Sequence, residues 1–256
     1  MELNRDYESA AIYKWRKKRK KAFVLFICIV GICFLVIRMV RVEDKTTVKV
    51  HNMHTEQNEK AIRYVASNMI KEDPKIAITF DDGPSPAWTP QLLDGLKERN
   101  VKATFFLIGE NAKNNPELVK REAEEGHLIG NHTYHHVEIT RVPDEMAQEE
   151  ILMTNEVITG ITGEEVSYMR PPFGVWQKNL ERKLDVMPVL WTIDPLDWTT
   201  DNEDEIINKV VTQAGENDII LLHDCYESSV NAALRIVDIL QKEGFEFVTV
   251  DELIMN

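Results

Sequence analysis

The segment KIAITFDDGP (75–84) decides the fold prediction, because an apolar run stops there at two adjacent carboxylates. The run KIAITF (75–80) predicts a buried strand. Asp81 and Asp82 follow it directly, and Gly83 and Pro84 then predict a turn. Taken alone, such a pair of aspartates is interpreted as an Asx turn or a helix cap. The rest of the chain decides whether a functional interpretation is better.

Short apolar runs alternate with helical patterns from residue 75 onward. Beyond the first strand, strands are predicted at 103–108, 127–130, 166–169, 187–193, 218–222 and 246–250. Helices are predicted at 89–100, 115–126, 143–162, 202–215 and 229–244. Two of these helices end in a glycine at the expected position, Gly126 and Gly244. The alternation is typical of a parallel α/β architecture, either an open sheet or a barrel.

Polar residues gather directly after the predicted strands. Besides the aspartate pair, the segments are NHTYHH (131–136), RPPFG (170–174), DPLDW (194–198) and HD (223–224). The carboxyl ends of parallel strands share one edge of a sheet, and active sites of α/β proteins are built there. We therefore expect these segments to converge on one cleft.

The spacing of two histidines indicates a metal site in that cleft. His132 and His136 are four residues apart, so both imidazoles can face one ion. Together with an aspartate they form a three-ligand set typical of catalytic zinc. One of Asp81 and Asp82 is then predicted to bind the metal and the other to act as a base. Arg170 is the cation available to keep both carboxylates ionised.

A further histidine is a candidate proton donor, the role that complements the base. His223 closes a predicted strand, and Asp197 and Asp224 are carboxylates that can orient it and hold it protonated, as a general acid requires. A metal-activated water, a base and an acid are suited to hydrolysing an amide or an ester. The chain contains no G-x-S-x-G, G-x-x-x-x-G-K-[ST] or G-x-G-x-x-G motif.

The distribution of charge excludes one class of partner. The net charge is −13; residues 1–41 carry ten Lys or Arg and three Asp or Glu, which is +7, so residues 42–256 carry −20. Nucleic-acid binding relies on clustered basic residues, and no nucleic-acid partner is expected. Beyond the N-terminal apolar segment, Cys225 is the one cysteine, and it is interpreted as a small buried residue.

The N-terminus is predicted to hold a membrane anchor. A basic cluster (14–21) precedes an apolar run (22–37), so the positive-inside rule predicts a cytoplasmic tail over 1–21 and a transmembrane helix over 22–41. A cleaved signal peptide is the alternative, but no A-x-A-like site follows the apolar run. Residues 42–73 are interpreted as a stalk or linker. The remainder of the chain is then expected outside the cell, facing the cell wall.

Five segments, in order, carry a family resemblance: TFDDGP (79–84), HTYHH (132–136), RPPFG (170–174), DPLDW (194–198) and LLHD (221–224). They resemble the motifs of polysaccharide deacetylases, which are carbohydrate esterase family 4 or the NodB homology domain. The resemblance covers about 74–254 and implies a catalytic domain over 74–256. The implied fold is an irregular (β/α) barrel, and the implied reaction is removal of N-acetyl groups from a glycan.

The resemblance also implies roles for the residues that carry the metal and the base. Asp81 would be the base and Arg170 its partner. The metal would be held by Asp82, His132 and His136. Zinc is the expected ion, with cobalt and nickel as alternatives.

On the other side of the cleft, the resemblance implies that His223 is the acid and Asp197 tunes it. The backbone N–H of Phe173 would stabilise the oxyanion, and Trp198 and Leu221 would line a pocket for the acetyl methyl group.

Two residues depart from the family pattern. Phe173 stands where many relatives have Tyr, which is harmless if only its backbone acts. His135 stands where Ser is common, so it is an alternative ligand, although the spacing favours His136. Trp88 and Trp176 are candidates either for stacking on sugar rings or for core packing.

The expected substrate is peptidoglycan, at either N-acetylglucosamine or N-acetylmuramic acid. Two alternatives remain: an O-acetyl esterase acting on a polysaccharide such as xylan, and a non-catalytic wall-binding protein. No obligate protein partner is expected.

Overall fold

In the computed structural model, which describes residues 73–180 and 183–255, parallel strands form one sheet. Its seven described strands are β1 (Lys75–Asp81), β2 (Thr104–Leu107), β3 (Leu128–Asn131), β4 (Tyr168–Met169), β5 (Met187–Pro188), β6 (Ile219–His223) and β7 (Glu246–Phe247). The strand order is β5-β4-β3-β2-β1-β6, and β7 pairs with the start of β1. Each of these pairings is parallel, as the alternation of elements predicted.

Helices pack against both faces of the sheet, the last of the described ones with Ala77 on the side opposite the others. They are α1 (Thr89–Glu98), α2 (Gly109–Asn114), α3 (Pro116–Glu124), α4 (Asp144–Thr162), α5 (Glu203–Val211), α6 (Glu227–Lys242) and α7 (Val250–Ile254). Short 3₁₀ turns lie at Ile139–Arg141, Pro172–Gly174 and Asp197–Thr199. The expected helices are present with their ends shifted by a few residues, and the six-residue α2 was not predicted because it is too short to show a periodicity.

The two faces of β1 have different environments, because successive side chains of a strand point to opposite sides. Ile76, Ile78 and Phe80 are buried in the main core against the helices. Thr79 and Asp81 point the other way, to the concave side of the sheet, where both accept hydrogen bonds from one buried arginine. The strand therefore supplies the core with one set of residues and the site with the other.

The segment 187–193 curls the sheet. At its start, β5 pairs with β4, and at its end Ile193 forms a parallel bridge with Ile220 of β6. One short stretch thus contacts both edges, although its regular strand is only two residues long rather than the seven predicted. The expected parallel α/β fold is confirmed as a curled half-barrel.

The end of the chain corrects another prediction. The strand expected over 246–250 is limited to β7, because Thr249 and Glu252 form a capping box that starts α7. The pattern TVDE at 249–252 is the sequence signal of this capping box.

Within residues 73–180 and 183–255, no helix has both the length and the apolar character needed to cross a bilayer. The predicted tail (1–21) and anchor (22–41), and the stalk (42–73) up to residue 72, lie outside the described residues. These assignments remain predictions.

Candidate active site

The two aspartates after β1 have different surroundings. Asp81 is buried, and its Oδ1 accepts a hydrogen bond of 2.8 Å from Nη1 of Arg170. Asp82 adopts a left-handed conformation (φ 71°), which interrupts the strand at that residue. The pair is therefore not a simple turn, because one carboxylate is ion-paired and the other faces histidines.

Arg170 is fully buried, and its guanidinium is held on several sides. It donates to Thr79 Oγ1 and Asp81 Oδ1, and to the carbonyl oxygens of Val189 and Leu190. Its guanidinium carbon lies 4.3 Å from the centre of the Phe106 ring. Burial lowers the pKa of Arg170, and the charge of Asp81 opposes that effect. The ion pair fixes the orientation of the Asp81 carboxylate.

A three-residue cluster lies beside this pair. Oδ1 of Asp82 is 3.4 Å from Nε2 of His132 and 3.4 Å from Nε2 of His136. The three potential ligand atoms lie within 4.8 Å of one another. Asp82 Oδ1 is buried without a hydrogen-bond partner, as a ligand atom facing a cation site would be. Burial first, and then the proximity of His132, lowers the pKa of His136, which favours the neutral imidazole that binds metal.

The tautomer of His132 also fits a metal ligand. Its Nδ1 lies 2.7 Å from the carbonyl oxygen of Arg170. A carbonyl can only accept, so the proton is on Nδ1 and the lone pair of Nε2 faces Asp82. Two imidazoles and one carboxylate fit a divalent transition-metal ion with open positions for other ligands.

His135 does not join this cluster. Its Nδ1 lies 2.8 Å from Oε1 of Glu150, on α4. The chain thereby separates the three histidines of HTYHH into two that face Asp82 and one that does not. Of the two ligand sets left open by the sequence, the geometry favours the one with His136.

His223, at the end of β6, is held by Asp197. The two carboxylate oxygens of Asp197 lie 2.8 Å from the backbone N and 2.8 Å from Nδ1 of His223. Burial by itself lowers the pKa of His223, but the hydrogen bond and charge of Asp197, with smaller contributions from Asp81 and Asp82, raise it to about 9. The imidazole is therefore a cation at neutral pH.

Asp224 does not orient His223, contrary to one of the two options that the sequence left open. It is fully buried and accepts a hydrogen bond from the Thr89 hydroxyl. Burial raises the pKa of Asp224 to about 7. The next residue, Cys225, is a free thiol that is partly rather than fully buried. Burial, followed by nearby carboxylates, raises the pKa of the Cys225 thiol to about 12, which disfavours the reactive thiolate.

A cavity of about 430 Å³ connects these groups. Its walls include Asp81, Asp82, His132, His136 and His223, together with the aromatic and apolar side chains Phe173, Trp191, Trp198, Leu221 and Tyr226. Phe173 and Trp198 are exposed by 62% and 56% despite their size. The predicted pocket residues Trp198 and Leu221 thus lie in one cavity with Asp81 and His223.

The aromatic residues that line the cavity differ from the two tryptophans predicted as candidates for stacking on sugar rings. Trp88 and Trp176 are not in the cavity wall and pack instead against apolar clusters of the core. Trp191 and Tyr226 line the cavity but were not predicted. Tyr226 follows the His223–Asp224 pair by two residues, so its place just after a strand end was the signal available.

The chain matches known proteins along most of its described length. The family model named polysaccharide deacetylase matches residues 68–189. A peptidoglycan-N-acetylglucosamine deacetylase, PgdA, of Listeria monocytogenes is 37% identical over 82% of this chain and 46% of its own length. The chain therefore spans about half of that relative.

Two further similarities cover more of the compared protein. A peptidoglycan-N-acetylglucosamine deacetylase of Bacillus cereus is 39% identical over 70% of this chain and 68% of its own length. The solved structure of the peptidoglycan deacetylase PdaC from Bacillus subtilis superposes with a TM-score of 0.69 at 39% identity, over 71% of this chain and 90% of that one.

Proposed function

Because the chain belongs to the polysaccharide deacetylase family, we propose that it is a metal-dependent hydrolase that removes N-acetyl groups from cell-wall glycan. The observation that carries this proposal is the grouping of three ligand atoms within 4.8 Å in a cavity that also contains a paired aspartate and a charged histidine. The names of the similar proteins support peptidoglycan as the glycan.

The proposed ligands are Asp82, His132 and His136, and the proposed ion is zinc, with cobalt and nickel as alternatives. When bound, a divalent cation supplies Lewis-acid chemistry, which acidifies a water molecule and polarises a carbonyl.

Asp81 is proposed as the general base. Its Oδ2 lies 3.8 Å from Nε2 of His132, so the carboxylate adjoins the proposed ligands while Arg170 fixes its other oxygen. Asp81 takes a proton from the water whose oxygen attacks the acetyl carbon. The backbone N–H of Phe173 is proposed to donate to the oxyanion that forms, and the left-handed conformation of that residue (φ 61°) sets the direction of its peptide groups.

His223 is proposed as the general acid. Its raised pKa keeps it protonated at neutral pH, and Asp197 holds its ring in place. It donates a proton to the sugar nitrogen as the C–N bond breaks, so the products are acetate and a free amine. Trp198 and Leu221 are proposed to enclose the acetyl methyl group beside these residues.

The site of action is also a proposal. The basic cluster and apolar run near the N-terminus support a single-pass anchor over 22–41 that holds the catalytic domain outside the membrane, next to the wall. The sugar that is deacetylated is proposed to be N-acetylglucosamine or N-acetylmuramic acid.

The test uses the full-length protein purified in detergent and supplied with Zn²⁺. Released acetate is measured with N-acetylated chitotetraose, purified peptidoglycan and acetylated xylan, and the sugars of digested peptidoglycan are identified. We expect acetate from the first two substrates, glucosamine or muramic acid among the products, and none from Asp81→Asn. Acetate from xylan alone would establish the esterase alternative, and its absence with every substrate would refute the proposed hydrolysis.

A further inference from the structure

We propose that Glu150, which lies outside the catalytic cavity, is a positioning residue that fixes the two metal-ligating histidines through the backbone of the loop 132–136. The inference rests on the proposed function in one respect, namely that His132 and His136 hold a metal ion. Glu150 lies on α4, and its side chain is almost completely buried.

The loop 132–136 has an unfavourable backbone conformation. Thr133 (φ 61°) and His136 (φ 55°) both lie in the left-handed region, which a β-branched residue such as Thr133 rarely enters. Each such residue costs about 1–3 kcal/mol and persists only where surrounding contacts enforce it. Since His136 is itself one of these residues, the direction of a ligand depends on those contacts.

Glu150 makes contacts of this kind on one side of the loop. Its Oε2 accepts hydrogen bonds from the backbone N–H groups of Tyr134 (3.0 Å) and His135 (2.8 Å), and its Oε1 lies 2.8 Å from Nδ1 of His135. A buried carboxylate that accepts two backbone N–H bonds forms charge-assisted bonds, which are stronger than neutral ones. The two peptide groups between the strained residues are thus tied to α4.

The other side of the loop is held by α2. The carbonyl oxygens of Thr133 and Tyr134 accept hydrogen bonds from the backbone N–H groups of Gly109 (2.9 Å) and Glu110 (3.0 Å). A Cβ on Gly109 would lie 2.6 Å from the Tyr134 ring, so the two segments meet as closely as glycine allows. The loop is therefore held between two helices. Glu150 ties its two central peptide groups to α4, and Asn131, which accepts from the Thr133 N–H and donates to the Ile151 carbonyl, joins its start to the same helix.

The same contacts indicate that the His135 side chain matters less than Glu150 for holding the loop. Its imidazole is about half exposed and bonds to Glu150 rather than to the cluster. The two backbone bonds to Glu150 do not require the His135 side chain. We therefore expect the carboxylate of Glu150, not the imidazole of His135, to control the geometry of the ligands.

The experiment measures Zn²⁺ affinity of the full-length protein by competition with a chromophoric chelator, and the absorption spectrum of the Co²⁺ form. Glu150→Ala is expected to weaken Zn²⁺ binding by about 10–100-fold, the usual effect of losing a group that orients a ligand. Glu150→Met keeps most of the side-chain volume and is expected to behave likewise, so the test does not depend on one variant folding.

Two variants distinguish positioning from general stability. Glu150→Gln retains an oxygen that can accept both N–H bonds, and its Zn²⁺ affinity is expected within about threefold of the parent. Ile151→Ala removes a fully buried apolar side chain from the next position of the same helix. It is expected to lower Tm as a cavity mutation does, with Zn²⁺ affinity again within about threefold of the parent.

Parent-like Zn²⁺ affinity and Co²⁺ spectrum in Glu150→Ala and Glu150→Met would overturn the inference. So would a loss in Ile151→Ala, or in Glu150→Gln, as large as that in Glu150→Ala. Because metal binding is measured rather than turnover, a parent protein that binds Zn²⁺ but releases no acetate would refute the proposed deacetylation and leave this inference standing.

Discussion

Replacing Asp197 by asparagine should shift the titration of His223, because Asp197 is the main group that keeps this imidazole charged. Burial alone lowers the pKa of His223, and the hydrogen bond and charge of Asp197 overcome that effect and raise the pKa to about 9. Without the carboxylate, burial is opposed only by the more distant Asp81 and Asp82. We expect the pKa of His223 in Asp197→Asn to fall to about 6.5 or below.

The size of the effect follows from these values. A rise from 6.5 to about 9 corresponds to about 3 kcal/mol in favour of the charged imidazole. At pH 8 a group with a pKa of about 9 is about 90% protonated, whereas one with a pKa of about 6.5 is about 3% protonated. Loss of the protonated acid alone therefore predicts a decrease in kcat/KM on the order of 30-fold at pH 8 and less than about twofold at pH 5.5.

The same shift affects stability with a defined sign. The folded-state pKa of His223 lies above the unfolded value, so its protonation stabilises the fold fully below pH 6.5. That contribution is lost as the pH rises through about 9, and Asp197→Asn should abolish this part of the pH dependence of unfolding.

The assay combines two measurements. The pH dependence of kcat/KM for acetate release gives the alkaline limb, and NMR of ¹⁵N-histidine-labelled protein gives the pKa of His223 itself. A bound divalent cation lowers the pKa of a nearby imidazole, so the variant and the parent are compared in the same metal state. Asp201→Asn is the matched control, because it makes the same change of charge at an exposed position.

Two results would refute the reasoning. One is a His223 pKa in Asp197→Asn within about half a unit of the parent value, against the shift of 2 or more expected from the loss of the carboxylate. The other is an alkaline limb that moves equally in Asp201→Asn, since this would reflect net charge rather than the contact.

Three further predictions concern the metal site and the core around it. Asp81→Asn should abolish acetate release and keep the metal content, whereas His132→Ala should lose both; equal metal contents by mass spectrometry would contradict this. Arg170→Met leaves a buried carboxylate unpaired and should lower the free energy of unfolding in urea by about 3–5 kcal/mol; an unchanged urea midpoint would contradict it. At Gly83 a Cβ would lie 2.5 Å from a buried carboxylate oxygen, and at Gly160 of α4 it would meet nothing within 4 Å. Gly83→Ala should therefore lower the free energy of unfolding by about 1–3 kcal/mol, and Gly160→Ala should raise it by about 0.5–1 kcal/mol. Thermal unfolding in which both variants gain stability, or both lose it, would refute that contrast.

Much of the fold could be predicted from local patterns, because strand and helix periodicities are set over a few neighbouring residues. The parallel alternation and the end of β1 at the aspartate pair were predicted, and the glycines expected to end helices, Gly126 (φ 81°) and Gly244 (φ 92°), are left-handed. Prediction failed where contacts between distant parts of the chain overrode the local periodicity. The strand expected over 187–193 is interrupted because that stretch must contact both edges of the sheet.

The sequence by itself determined which chemical groups reach one edge of the sheet, since parallel strands necessarily place their carboxyl ends together. It did not determine how those groups pair. That Asp197 rather than Asp224 holds His223, and that Glu150 takes His135 away from the metal cluster, are decided by contacts between residues 26 and 15 positions apart. Such contacts exist only once the elements have packed, because a hydrogen bond depends on tenths of an ångström and on direction, and the spacing of residues along the chain specifies neither.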